Sequence, residues 1–166
     1  CWSYTWQGNV DKWYPADSKT IYQSFIDKIG AANVITTTQP GFDSPQNYDV
    51  NALKKAATGV DVIVLCIGEN AYAESPGNIR DLALPKEQED LVTAAALTGK
   101  PVILVLTEGR PRFISNIEPA VKGILMAYWS GRKTAEAITD VLFGDYNPSG
   151  KLPFSYHRSM GEIVLY

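Results

Sequence analysis

The chain has 166 residues, of which 45% are hydrophobic and 20% charged, and a formal net charge of −3. A chain of this length buries roughly 70% of the surface it exposes when unfolded, and no apolar run reaches the ~20 residues of a membrane-spanning helix. The densest basic cluster is GRKT at 131–134, which leaves a nucleic-acid backbone no electrostatic footprint to meet.

The opening WSYTWQGNVDKWY places Trp2, Tyr4, Trp6, Trp13 and Tyr14 within fourteen residues. Both core packing and flat platforms for the C–H faces of sugar rings account for such a run. Trp6, beside Gln7 and Gly8, is the best candidate for exposure. In DSKTIYQSFIDKIG, Ile21, Phe25 and Ile29 fall at helical spacing, with Ser18 or Asp17 as N-cap and Gly30 as stop. NVITTT (33–38) reads as a short strand and QPGFDSPQNYD (39–49) as a Gly/Pro/Asn/Asp loop. VNALKKAAT (50–58) reads as a short helix and VDVIVLCIG (60–68) as a buried strand. PKEQEDLVTAAALTG (85–99) has proline at its start, acids in its first turn and glycine at its end, so it is predicted helical. PVILVLT (101–107) is predicted strand, PRFISNI (111–117) short helix, VKGILMAYW (121–129) strand, GRKTAEAITDVLFG (131–144) helix and GKLPFSY (150–156) a last edge strand.

Three of these strands are nearly continuous Val/Ile/Leu runs, which implies burial on both faces, and helices alternate with them. The expected fold is α/β, with a mostly parallel sheet between helical layers. In such sheets ligands bind beyond the carboxyl ends of the strands, where GENAYAESPGN, EGRPR and YWSGR all fall. No internal repeat or linker divides the chain, so one domain over 1–166 is expected.

The loop CIGENAYAESPGN (66–78) carries Glu69 and Glu74. They read either as solvated loop acids or as catalytic ones. An acid beside apolar and aromatic surface can have its pKa raised and donate a proton near neutral pH, and glycoside cleavage needs such an acid opposite a second carboxylate. The five-residue spacing does not fix which acid is the donor. Arg110 and Arg112, flanking Pro111, suit pairing with acids of neighbouring loops or bracing of this one. Cys66 reads as a small buried hydrophobe, with a bridge to Cys1 left open. The single His157 and two scattered cysteines supply no metal-ligand cluster. G-x-S-x-G is missing and CIGENA has only one glycine, which disfavours a serine hydrolase and a phosphate or dinucleotide loop. No cofactor is implied.

WSYTWQG, VDVIVLCIGENAYAESPGN, LPKEQEDLV, GKPVILVLTEGRPR and DVLFGDYNPSGKLPFSY occur in this order. Together they closely resemble the second, C-terminal domain of glycoside hydrolase family 3, in its β-glucosidase and exo-β-glucanase branch. The resemblance implies a three-layer α/β/α sandwich, flavodoxin-like, whose mostly parallel six-stranded sheet includes one antiparallel strand. It implies a preceding (β/α)8 barrel that carries the aspartate nucleophile and most glucose-binding residues; this chain would then be one domain of a larger enzyme and inactive alone. The position matching the family's acid/base is Glu74, and Trp6 matches a tryptophan lining the aglycone side. Glu69, assigned to the substrate side of the site, is expected to hold the loop's shape or pair with Arg110, with Tyr72 and Arg110 as loop support. The implied reaction is retaining, exo-acting hydrolysis of terminal β-D-glucosyl residues; the implied substrate is a β-linked glucosyl oligosaccharide or glucoside, and family habit implies a secreted or periplasmic location. The chain departs from the family pattern at WSGRKTAEAI, where many members carry a Pro-Gly and a Gly-Gly pair. A non-catalytic α/β module binding a ligand or partner, or a relative acting on β-xylosides or N-acetyl-β-glucosaminides, stands as the alternative.

Overall fold

The structure, a computed structural model, describes residues 6, 8, 10–38, 40–42, 48–159 and 161–162. Three strands, β1 (Ile63–Gly68), β2 (Val102–Thr107) and β3 (Gly123–Met126), form a sheet in that order among the described residues. Both pairings are parallel, with Leu65 opposite Leu104 and Leu104 opposite Ile124. All three carboxyl ends therefore emerge on one edge of the sheet.

Among the described residues, four α-helices cover it: α1 (Ile21–Ile29), α2 (Val50–Ala57), α3 (Lys86–Ala96) and α4 (Thr134–Leu142). Because side chains alternate across a strand, the sheet sorts its residues into two cores. Ile63, Leu65 and Ile67 of β1 and Val102, Leu104 and Leu106 of β2 pack with Leu53 and Ala57 of α2 and Leu91, Val92 and Ala95 of α3. Val105, Ala127 and Ile138 form the second cluster, with Val64, Cys66, Leu125 and residues of α1 and α4 packed against it. Burial on both faces is what the uninterrupted Val/Ile/Leu runs require.

Local signals set the helix ends. Thr20, rather than Ser18 or Asp17, caps α1: its Oγ1 accepts from the Gln23 N–H at 3.1 Å. Asp17 instead pairs with Arg132 at the start of α4. Asp49 caps α2 by accepting from the N–H groups of Asn51 and Ala52.

Three expected elements differ. Residues 33–38 do not join the sheet; the chain makes a 3-10 turn at Ala31–Asn33 and then runs past β1 without forming a strand. Ile35 is 52% exposed and Thr36 is exposed, so no buried face pins a register there. Residues 150–156 bend at Pro153 instead of extending an edge, since proline withholds a ladder donor. The sheet thus has three parallel strands among the described residues, where six with one antiparallel were expected. Finally, 111–117 is not helical. Phe113 forms a parallel bridge to Ala83 and its N–H donates to the Leu82 carbonyl at 2.8 Å, drawing the segment alongside 82–83.

Cys66 is a free thiol, and burial pushes its pKa up to about 11. Cys1, Trp2 and Tyr4 lie outside the described residues. No helix among the described residues is long and apolar enough to cross a membrane.

Candidate active-site loops at the carboxyl edge of the sheet

The loop after β1 begins from a fixed point. Gly68, the last residue of β1, is bound at both backbone groups by one side chain: its N–H donates to Gln88 Oε1 at 2.8 Å, and Gln88 Nε2 donates to its carbonyl at 3.0 Å. Gln88 is 2% exposed, so helix α3 anchors the point where the chain leaves the sheet.

Glu69 follows, 8% exposed. Its Oε1 accepts from the Gly109 N–H at 3.1 Å and from Arg110 Nε at 3.2 Å, and its Oε2 accepts from Arg112 Nη1 at 3.3 Å. Arg112 also donates through Nη2 to the Ala83 carbonyl at 2.7 Å. A carboxylate gripped by two guanidiniums and a backbone amide ties the loop after β1 to the loop after β2, with charge-assisted bonds on both oxygens.

Arg110 continues outward. Its Cζ lies 4.0 Å from the centroid of the Tyr72 ring, within cation–π range. Tyr72 also meets Trp129, from the loop after β3, edge to face with centroids 4.5 Å apart. Burial first, then the Glu69 charge, pushes the Tyr72 hydroxyl up to about 12.

Glu74 lies at the far side of this loop and is solvent-exposed. Its φ is 56° and its ψ −141°, a region of backbone space left almost entirely to glycine that costs on the order of 1–3 kcal/mol for other residues. The chain turns there into the 3-10 segment Ser75–Gly77, with the Gly77 N–H donating to the Glu74 carbonyl at 2.9 Å.

A second carboxyl stands behind Glu69. Glu108, which directly follows β2, is fully buried. Its Oε1 accepts from the Tyr156 hydroxyl at 2.6 Å and from the Arg112 N–H at 3.4 Å, while Oε2 has no partner among the described residues. Burial, only partly offset by the Tyr156 hydrogen bond, pushes the Glu108 pKa up to about 7.

Of the residues expected to form the site, Glu69, Tyr72 and Arg110 are brought into one cluster, and Glu74 lies on the same loop. Trp6 is 48% exposed. The pairing of Glu69 with Arg110 is present and is extended by Arg112. Gln88, Glu108 and Trp129 are additional members that sequence reasoning does not single out. The signal that could have found Glu108 and Trp129 is their place immediately after Val/Ile/Leu runs, where loops converge.

The chain matches the glycosyl hydrolase family 3 C-terminal domain over residues 2–166. A periplasmic β-glucosidase of Salmonella typhimurium is 42% identical over 74% of this chain and 16% of its own length. A lysosomal β-glucosidase of Dictyostelium discoideum is 32% identical over 98% of this chain and 20% of its own. Among solved structures, a Listeria innocua β-glucosidase in complex with glucose superposes with a TM-score of 0.66 at 31% identity, covering 70% of this chain and 16% of that one. The chain therefore spans a fifth or less of the length of these relatives. With a match along essentially its whole length and relatives that are glycoside hydrolases, the chain belongs to the glycosyl hydrolase family 3 C-terminal domain family.

Proposed function

We infer that this chain is the acid/base-contributing domain of a retaining, exo-acting β-glucosidase, with Glu74 as the acid/base. The observation that carries this reading is the strained, exposed Glu74 on a loop braced at Glu69. Backbone strain persists only where surrounding structure overrides it, and it clusters at functional sites.

In this reading Glu74 reaches toward a sugar held on a preceding (β/α)8 barrel of the same polypeptide, which supplies the nucleophilic aspartate. Glu74 protonates the leaving oxygen, the nucleophile forms a glycosyl-enzyme, and the Glu74 carboxylate then draws a proton from water as it attacks. Glu69 does not touch the reacting atoms; it is committed to Arg110, Arg112 and Gly109 and holds the loop's shape. Tyr72 and Arg110 support the same loop, and exposed Trp6 lines the aglycone side. The substrate is a terminal β-D-glucosyl residue of a glucoside or oligosaccharide, and the domain alone turns over none. A periplasmic relative supports export from the cytoplasm. A second reading, β-xyloside hydrolysis by the same machinery, draws support from a β-xylosidase of Formosa agariphila that is 40% identical over 66% of this chain.

The test is Glu74→Ala in the full-length polypeptide, assayed with an activated aryl β-glucoside with and without azide. The expected result is a loss of about 10²–10⁴-fold in kcat, because the glycosyl-enzyme then lacks its general base, partly rescued by azide with β-glucosyl azide as product. Near-normal turnover without azide would assign the proton transfer elsewhere.

A further inference from the structure

The geometry of the loop around Glu74 explains how its backbone is held, and it involves a residue outside the loop. Tyr72, two residues before Glu74, and Gly77, three after it, are pressed together. A Cβ on Gly77 would lie 2.1 Å from Tyr72 Cδ2, a distance no side chain tolerates, so only glycine lets the ring seat on the backbone. The ring thereby closes the segment 72–77 on itself, with Glu74 at the turn. Ala73 is buried at 6% exposure, and the Gly77 and Asn78 N–H groups bond back to the Glu74 and Ser75 carbonyls. Glu74, at the head of this turn, is exposed, as are Ser75 and Pro76 after it.

A ring closing a loop fixes nothing unless the ring itself is fixed. Two groups from different loops do this. Arg110 stacks on the Tyr72 face at 4.0 Å while its Nε is held by Glu69. Trp129 stands edge to face on the same ring at an interplanar angle of 89°. Trp129 is itself seated against a glycine: a Cβ on Gly109 would lie 2.6 Å from Trp129 Cζ3 and 3.1 Å from the Tyr72 hydroxyl oxygen. The loops after β1, β2 and β3 thus meet in one aromatic stack.

We propose that Tyr72 and Trp129, seated on Gly77 and Gly109, form a clamp that fixes Glu74 in its proton-donating placement, so that Trp129 is a positioning residue for proton transfer. The inference rests on the assignment of Glu74 as acid/base. Trp129 touches neither sugar nor leaving group; it acts through Tyr72. Its loss therefore lowers kcat/KM, which reports formation of the glycosyl-enzyme, only for those substrates whose leaving group needs the proton.

The test compares two substrates in the full-length polypeptide. A dinitrophenyl β-glucoside has a leaving group that departs as a stable anion without protonation, whereas a β-linked glucose disaccharide needs the acid. Trp129→Leu is expected to lower kcat/KM for the disaccharide about 10²-fold, the cost of a displacement on the order of 1 Å. The dinitrophenyl glucoside changes less than about threefold, because acid catalysis contributes little to its cleavage. Trp129→Phe, which keeps an aromatic edge against Tyr72, restores most of the disaccharide activity. Gly109→Ala adds one methyl at an exposed position, removes no ring or polar group, and produces the same split if the leucine variant fails to fold.

Equal losses on both substrates, or no loss on either, in the folded variants would overturn the clamp. Glu74→Ala, run alongside, must show the same split more strongly. If it does and the clamp variants do not, the clamp fails while the assignment of Glu74 stands. If Glu74→Ala shows no split, that assignment fails and the clamp with it.

Discussion

Glu69 accepts hydrogen bonds from two arginines and a backbone amide of the next loop, while Glu74, five residues later, faces solvent. The divergence follows from direction. Glu69 leaves β1 still in register with the sheet, its N–H donating to the Thr107 carbonyl at 3.1 Å, and so its side chain meets the loop after β2. Removing its charge leaves two half-buried guanidiniums uncompensated. Glu69→Gln is expected to destabilise the fold by about 3–5 kcal/mol, read as a lowered midpoint in urea with an unchanged slope. A loss under about 1 kcal/mol would place the pair among surface ion pairs of little consequence. The loop's acids, Tyr72 and Arg110 were all legible in the sequence because they stand in one conspicuous stretch or beside a proline. Glu108 and Trp129 were not, since a place after an apolar run marks a converging loop but no role, and the partners that give each a role lie 48 and 57 residues away in Tyr156 and Tyr72.

At the scale of elements, the segment 151–158 is held to the sheet by side chains rather than by strand pairing. Tyr156 reaches the buried Glu108 and packs on the core beside Met126, and the Ser115 hydroxyl donates to the Arg158 carbonyl at 3.0 Å. Because burial raises the Glu108 pKa to about 7, the folded state favours the protonated acid. Its contribution is fully present below the unfolded value of 4.5 and is lost as pH rises through about 7, amounting to about 3 kcal/mol at most. Glu108→Gln, which cannot ionise, is expected to flatten the fall in stability between those two values, measured by urea unfolding across that range. A slope unchanged from the parent would show that Glu108 is not its source. The three sheet strands and four helices were legible as apolar runs and capped periodic segments. The segments 33–38, 111–117 and 150–156 were not, because their conformations depend on what they touch: an exposed threonine run lacks a face to bury, Phe113 finds a backbone partner at Ala83, and Pro153 bends the chain toward Glu108.

At the scale of the molecule, three parallel strands deliver three loops to one edge, and those loops interlock through Glu69, Arg110, Tyr72 and Trp129. Such an edge presents the exposed Glu74 from interlocked loops, and in the proposed function this acid performs half of a retaining hydrolysis. The other half requires a second carboxylate across the sugar, which accords with a chain that spans a fifth or less of its relatives. The most direct measurement is a crystal structure of the full-length polypeptide with a trapped 2-fluoroglucosyl intermediate. The account predicts the Glu74 carboxyl about 5–5.5 Å from the glycosylated carboxylate, on the opposite side of the anomeric carbon. A separation beyond about 6.5 Å, or another acid occupying that place, would contradict it.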